Sequence, residues 1–450
     1  MSTKTRRVRM ESDSLGRVEV PIEALYGAQT QRALENFPVR DQRTVGDHPN
    51  LVRGMMAIKQ AAARTNGAHG FLDASIADAI ASSAERVAQE GLWNLFPVHF
   101  LHGGGGTSAN MNANEVLANM AEESLGGERG QYRHVHPNDH VNMHQSTNDV
   151  YPSACHIAIL LQWRDLRRAL EQLAKALAAK ARGLSEQVRI ARTCLQDAVE
   201  IGFGDLLGGY EGLLERSVAR LGRAVDDLHC INMGGTIVGR KQDVPQPFLE
   251  AIVPAIAELL GDREYRQARN LFDAAQNPDP VAAVSAELAI LARGMIKIGK
   301  DFRLMASGPE CGLGEICLPA VQPGSSAMPG KINPVIPEFL VQTGLQAVGH
   351  DAACQAAVDH GELDLNVWES LMVFNVLEAM RLLAEGVTAF DSKCVRGFTV
   401  NAGRNADNAR TLAPLLTKLM HQRGYSEVSE MWQKAGGDVE ELRRLLSEET

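Results

Sequence analysis

Between Val281 and Met305 apolar residues recur at 281, 284, 288, 291, 295, 298, 302 and 305. These alternating steps of three and four put all eight on one stripe of an α-helix, the seam along which long helices pack side by side. The stripe extends for about seven turns. One small bundle cannot bury so long a face, so the pattern predicts long partner helices and packing between subunits. Leu166, Leu170, Leu173 and Leu177 repeat the spacing in an earlier segment. Residues 335–355 and 364–390 read as two more long helices, separated by a turn near His360–Gly361.

The first 140 residues have a different character, with short helical patterns among Gly-, Pro- and Asn-rich loops. After about residue 395 the pattern shortens again and ends in the charged EELRRLLSEE. The reading is therefore a mainly α chain in three domains: 1–140 mixed helix and loop, 141–395 a long-helix bundle, and 396–450 a small helical domain. Aromatic residues make up only 5% of the chain, and abundant Ala and Leu favour helix packing over strands.

A net charge of −10, from 45 basic and 55 acidic residues, gives no electrostatic support for a nucleic-acid partner. The seven cysteines are odd in number and dispersed, without a CxxC pair, as expected of reduced thiols in a cytoplasmic protein. The basic start MSTKTRRVRM is not followed by an apolar stretch, so no secretory signal is expected. No apolar run is long enough to span a bilayer, which predicts a soluble protein with no membrane partner.

The chemistry concentrates in residues 324–338, GSSAMPGKINPVIPE. Gly324, Pro329 and Gly330 force an irregular loop whose backbone amides can turn inward. Two serines, a lysine and an asparagine add hydroxyl, ammonium and amide donors with almost no acid among them. Such a loop suits a carboxylate, or negative charge as it develops. A serine hydroxyl acts as a base only where amides and a cation stabilise its alkoxide. Lys331 lies six residues beyond Ser325, but the residues alone do not decide between Ser325 and Ser326.

This stretch resembles the signature of the aspartase/fumarase superfamily, whose members add or remove groups across the double bond of fumarate. D13-S-L-G-R, V20-P and Y26-G-A-Q-T-Q-R-A-L-E-N-F look like that family's N-terminal segment. GGGGTSANMNANEVL (103–117), HPNDHVNMHQSTND (136–149) and RTCLQDA (192–198) resemble its three other site segments, in family order. The resemblance implies a homotetramer with a shared central bundle, active sites built from three subunits, and no required cofactor or metal. It makes Ser325 the catalytic base. Thr107, Ser146, Thr147 and Ser326 would hold the carboxylate that becomes an aci-carboxylate, and Lys331 and Asn333 the other carboxylate. Asn148, Thr193 and Cys194 would lie around the leaving group. His136, Asn138 and Asp139 match a possible second anion site, and the C-terminal part looks shorter than in the family.

One position departs from the family. Fumarases carry His after the residue matching Thr193, and aspartases His or Gln; here it is Cys194. Hydroxide leaves poorly without an acid, whereas an ammonium substrate releases neutral ammonia readily. Glu338, which partners that His in fumarases, lacks its usual neighbour. The Ser146-Thr147-Asn148 triplet is aspartase-like, although HPND is fumarase-like. The balance favours elimination of ammonia from L-aspartate, with fumarase or a lyase for an N-substituted aspartate as alternatives.

Blander roles compete for several of these residues. GGGGTS lacks the lysine of a P-loop, so nucleotide binding is disfavoured. His134, His136, His140 and His144 crowd together, and 140/144 have a spacing that metal ligands use on helices, but loop roles fit better. Cys194 reads as a small residue shaping a pocket, and Asn112 and Asn114 as ordering a turn before a helix. Ser146 and Thr147 could cap the helix that follows while still binding an anion. A catalytically dead crystallin-type relative would be expected to lose Ser325 or Lys331, and both are present.

Overall fold

The computed structural model describes residues 7–448; residues 1–6 of the basic start and the last two residues lie outside them. Helices dominate, and the named strands among the described residues form four two-stranded ladders. The chain opens with the antiparallel hairpin β1 (Val8–Asp13) and β2 (Gly16–Pro21), followed by α1 (Ala28–Asn36). Next come α2 (Pro49–Ala68), α3 (Ala74–Glu90) and α4 (Thr107–Ser124).

These three helices of 20, 17 and 18 residues are longer than the sequence pattern suggested. Burial on nearly every side explains this for α2 and α4: Met55 to Gln60 of α2, for example, are all buried, so no single apolar stripe marks the helix. Likewise, the Asn-rich NMNAN lies inside α4 rather than in a loop, and Asn112 and Asn114 are fully buried there. Their turn-ordering role is therefore corrected. Asn112 Nδ2 donates to Leu95 O at 3.1 Å and Asn114 Nδ2 to Asn142 Oδ1 at 3.1 Å.

α5 (Thr147–Gly183) leads to the antiparallel hairpin β3 (Val188–Thr193) and β4 (Gln196–Gly202), then to α6 (Phe203–Asp226). A short parallel pair, β5 (Cys230–Ile231) and β6 (Arg266–Gln267), flanks α7 (Gln246–Leu260) in sequence. α8 (Leu271–Gln276), α9 (Asp279–Met305), β7 (Ile316–Cys317), α10 (Val335–Val358) and α11 (Glu369–Phe390) follow. β8 (Thr399–Val400) pairs with β7, and α12 (Ala402–Ala409), α13 (Leu412–Arg423), α14 (Tyr425–Lys434) and α15 (Val439–Glu448) complete the chain.

All eight stripe positions of α9 are buried, as are Leu166, Leu170, Leu173 and Leu177 of α5. The connection between α10 and α11 is longer than a tight turn. It is held by Trp368 Nε1 donating to His360 O at 2.8 Å and by Asn366 Nδ2 on the carbonyls of Ala357 and Val358.

The chain divides into two compact units. One runs up to Leu166 and includes Ala219–Ile290 and Gln346–Leu382; the other comprises Arg167–Val218, Leu291–Leu345 and the chain from Leu383. In the first, α2 packs on α3 and α7, and α3 on α4. In the second, Phe302 is fully buried and meets Phe390 and Phe398 edge-on, with ring centroids 5.0 and 5.4 Å apart. The same unit has a separate small core of Leu419, Val428, Met431, Ala435 and Leu442 under α13–α15. Among the described residues, no helix is long and apolar enough to cross a membrane.

Truncating a buried phenylalanine costs both its transfer energy and the cavity left behind. Phe302→Ala is expected to lower unfolding stability by about 3–5 kcal/mol, read from urea denaturation at fixed protein concentration. A loss under about 1 kcal/mol would show that this aromatic cluster is not a core.

Candidate active site

The first unit carries one set of the residues singled out in the sequence. Gly104, Gly105 and Gly106 have φ of +85°, +58° and +91°, a left-handed path that leads into the N-terminus of α4. A Cβ on Gly106 would lie 2.3 Å from the Tyr151 ring, so only glycine fits. Thr107, the first residue of α4, is exposed. Its hydroxyl is turned back, donating to Gly104 O at 2.8 Å.

Ser146 precedes α5 and caps it. Its Oγ accepts from Asn148 N–H at 3.2 Å, while Asp149 Oδ1 accepts from Ser146 N–H at 2.8 Å. Asp149 is fully buried and also accepts from the Gly234 and Thr236 amides at 3.2 and 3.0 Å. Burial raises its pKa to about 6, against the pull of these amides. Thr147 Oγ1 accepts from Asn110 Nδ2 at 3.1 Å, which ties the start of α5 to the first turns of α4. Asn148 Nδ2 donates to Ile237 O at 2.8 Å, so this amide is already engaged.

The histidines of the same segment are structural in their contacts. His136 Nδ1 accepts from the Asn138 and Asp139 amides at 3.3 and 3.2 Å, and His140 Nδ1 accepts from His136 N–H at 3.0 Å. His144, at φ +59°, lies outside any helix and bonds Asn66 Oδ1 at 2.8 Å. The helical 140/144 spacing is therefore not realised, and no metal-holding cluster of His, Cys, Asp or Glu is found among the described residues. His136 and Asn138 line a cavity of ≈ 240 Å³ with Glu11, Asp13, Glu115 and Tyr132. Arg32 beside Asp13 holds that carboxyl below its usual range, whereas burial pushes Glu115 up. Asp139 is largely exposed, with its carboxylate 3.3 Å from His136 Nδ1.

The second unit carries the other set. β3 and β4 join through Cys194 and Leu195 at φ +53° and +63°. Two left-handed residues in succession make the tight hairpin turn that best matches strand twist. They present Thr193 and Cys194 at an exposed tip. The hairpin is anchored by Glu315, fully buried, which pairs with Arg189 at 3.0 Å and also with Arg192.

The 324–334 loop closes on itself. Gly324 N–H donates to Lys331 O at 2.8 Å, and Asn333 Nδ2 donates to Gly324 O at 2.7 Å. A Cβ on Gly324 would meet Lys331 O at 2.5 Å, so the clamp requires glycine. Within the loop the Ala327 and Met328 amides donate to Ser325 Oγ at 3.1 and 2.9 Å. Ser326 and Lys331 are exposed, and no hydrogen bond of either side chain is seen among the described residues. Lys331 and Asn333 line a cavity of ≈ 920 Å³ with Leu195, Arg303, Glu338 and Asn401. Glu338 pairs with Arg303 at 3.3 Å.

Asn110, Asn142 and Lys59, which hold Thr147 and its loop, were not singled out in the sequence. Asn110 falls inside GGGGTSANMNANEVL and Asn142 inside HPNDHVNMHQSTND, but only the fold links them to Thr147.

A family described as "Lyase" matches residues 16–349. The chain is 38% identical over 439 residues to an aspartate ammonia-lyase from a Bacillus species, covering 97% of this chain and 93% of that enzyme. It is 40% identical over 436 residues to a class II fumarate hydratase from Nitrosomonas europaea, covering 97% and 94%. Among solved structures, a fumarate lyase:delta crystallin from Brucella melitensis superposes with a TM-score of 0.93 at 40% identity, over 97% and 95% of the two chains. A class II fumarase from Schistosoma mansoni gives 0.92 at 33%, over 96% and 93%.

Removing one partner of a buried ion pair leaves the others without compensating charge. Glu315→Ala is expected to cost about 3 kcal/mol, seen as a lower thermal midpoint with faster hydrogen exchange at the β3–β4 amides. Unchanged exchange there would contradict its anchoring role.

Proposed function

The chain belongs to the aspartase/fumarase superfamily of lyases, and from that premise we propose that it eliminates ammonia from L-aspartate to give fumarate. The observation that carries the elimination chemistry is the setting of Ser325. Two backbone amides already donate to its Oγ, which lowers the cost of an alkoxide, and Lys331 is six residues on in the same loop. No such pair of bonds is seen for Ser326, which favours Ser325 as the base.

In this mechanism the Ser325 alkoxide takes the C3 proton and becomes the hydroxyl. The electron pair moves into the adjacent carboxylate, forming a dianionic aci-carboxylate. That intermediate collapses to the double bond as the C2–N bond breaks and neutral ammonia leaves, anti to the proton. Thr107, Ser146, Thr147 and Ser326 supply neutral donors to the charged intermediate, with Thr107 giving up its bond to Gly104. Lys331 and Asn333 hold the other carboxylate, and Asn148 and Thr193 face the amine. Donors fixed before the charge develops are what lower such a barrier.

Cys194 supports amine rather than hydroxide as the leaving group, because a thiol there gives no imidazole acid. The pairing of Glu338 with Arg303 is consistent with a site that does not use the fumarase histidine. A second reading, a lyase for an N-substituted aspartate, draws on the small Cys194 and on Leu195 beside the ≈ 920 Å³ cavity. His136, Asn138 and Asp139 remain a proposed secondary site, one in which the acid-lined cavity opposes anion binding.

The site is proposed to be completed in a homotetramer, with a cytoplasmic setting. α10 is apolar on several faces, and Phe339 and Leu345 are exposed in the single chain. Such residues are the ones an oligomer covers.

Two measurements test this. Ser325→Ala is expected to lower kcat about 1000-fold or more at unchanged oligomer mass; substantial residual turnover would refute the base assignment. Loss of fumarate absorbance with ammonium, and not without it, is expected of the wild-type enzyme. Loss with water alone would make it a hydratase, and loss only with larger amines would support the substituted aspartate.

A further inference from the structure

Thr147 is held by a relay of amides that begins at a buried lysine. Lys59 of α2 is fully buried, and its Nζ donates to Asn142 Oδ1 and Gln145 Oε1, each at 3.0 Å. Burial lowers its pKa to about 7, opposed by the charge of Asp149. As an ammonium it has only hydrogens to give, and in donating to Asn142 it turns the oxygen of that amide toward itself. That fixes the rest of the relay.

The same Asn142 Oδ1 faces Asn110 and Asn114, which must therefore present their NH2 groups, at 3.2 and 3.1 Å. Asn142 Nδ2 is left to donate to Gln145 O at 3.1 Å. Asn110 Nδ2 uses one hydrogen on Asn142 and the other on Thr147 Oγ1 at 3.1 Å. A hydroxyl that accepts there keeps its own hydrogen free. No acceptor for it is seen among the described residues, and Thr147 is only half buried.

A second observation points the same way. Asn110 Oδ1 is buried without a hydrogen-bond partner. An orphaned acceptor costs stability, and an apolar side chain of the same size would avoid it. Asn110 is thus a poor choice for packing and a good one for supplying two N–H donors.

We propose that Asn110 is a positioning residue. By occupying a lone pair of Thr147 Oγ1, it commits that hydroxyl to donate its hydrogen to a carboxylate oxygen of the substrate, with the polarity set by Lys59 through Asn142. This rests on the reading of Thr147 as a substrate donor.

The test is a double-mutant cycle on the full-length enzyme, read as kcat and KM for the C4 reaction that the wild type catalyses. Asn110→Leu removes the donors without adding charge, and Thr147→Val removes the hydroxyl. Each single variant is expected to lose about 10- to 100-fold in kcat/KM. The double variant should fall no more than about threefold below the worse single one, because both act through one hydroxyl. If Asn110→Leu fails to fold by circular dichroism, Asn110→Ser takes its place. Losses that multiply in the double variant would overturn the positioning role while leaving the proposed reaction intact. A wild type inactive with aspartate and with fumarate would instead overturn the proposed reaction, and the role of Thr147 with it.

Discussion

Three hydroxyl oxygens of the candidate site already accept hydrogen bonds from N–H groups of the chain, and the proposed chemistry depends on that constraint. Ser325 Oγ accepts from two backbone amides, Ser146 Oγ from Asn148 N–H, and Thr147 Oγ1 from Asn110. For Ser146 and Thr147 the result is a hydrogen free to donate. For Ser325 it is an oxygen better able to bear negative charge. Each arrangement costs the fold something. The Ser325 loop needs a glycine at 324 to close, the Thr147 relay leaves Asn110 Oδ1 orphaned, and the hairpin bearing Thr193 runs through two left-handed residues.

The long helices were legible because periodicity survives wherever a helix buries one stripe. The α9 seam from 281 to 305 and the α5 leucines are buried as their spacing required. α2 and α4 were less legible for the opposite reason. They are buried on most sides, so their apolar and polar residues carry no period. Asn112 and Asn114 looked like turn formers, since asparagine is common in turns, yet their amides reach Leu95 and Asn142 across the fold. Tertiary partners overrode local preference there.

The site was legible at the level of segments and less so at the level of hydrogen bonds. The glycine-rich 324–334 loop could be read as a nest for an anion, and the amides on Ser325 are of the kind that reading required. That Thr107 would turn back on Gly104, or Asn148 engage Ile237, depends on backbone geometry that no spacing encodes. The histidine spacing at 140 and 144 suggested a helix face, but the chain leaves helical geometry before His144. Lys59 escaped notice because a lone lysine in an apolar stretch reads as surface until its burial is seen.

Donors arranged for a dianionic intermediate should prefer a dianion of that shape over a plain dicarboxylate. The nitronate of 3-nitropropanoate has a planar end with two negatively charged oxygens placed as in an aci-carboxylate, and succinate has the same chain length without that planar group. The most direct measurement is the ratio of their inhibition constants against the wild-type reaction. The expected result is nitronate binding tighter by about 100-fold or more. Equal binding of the two would contradict a site built around the aci-carboxylate.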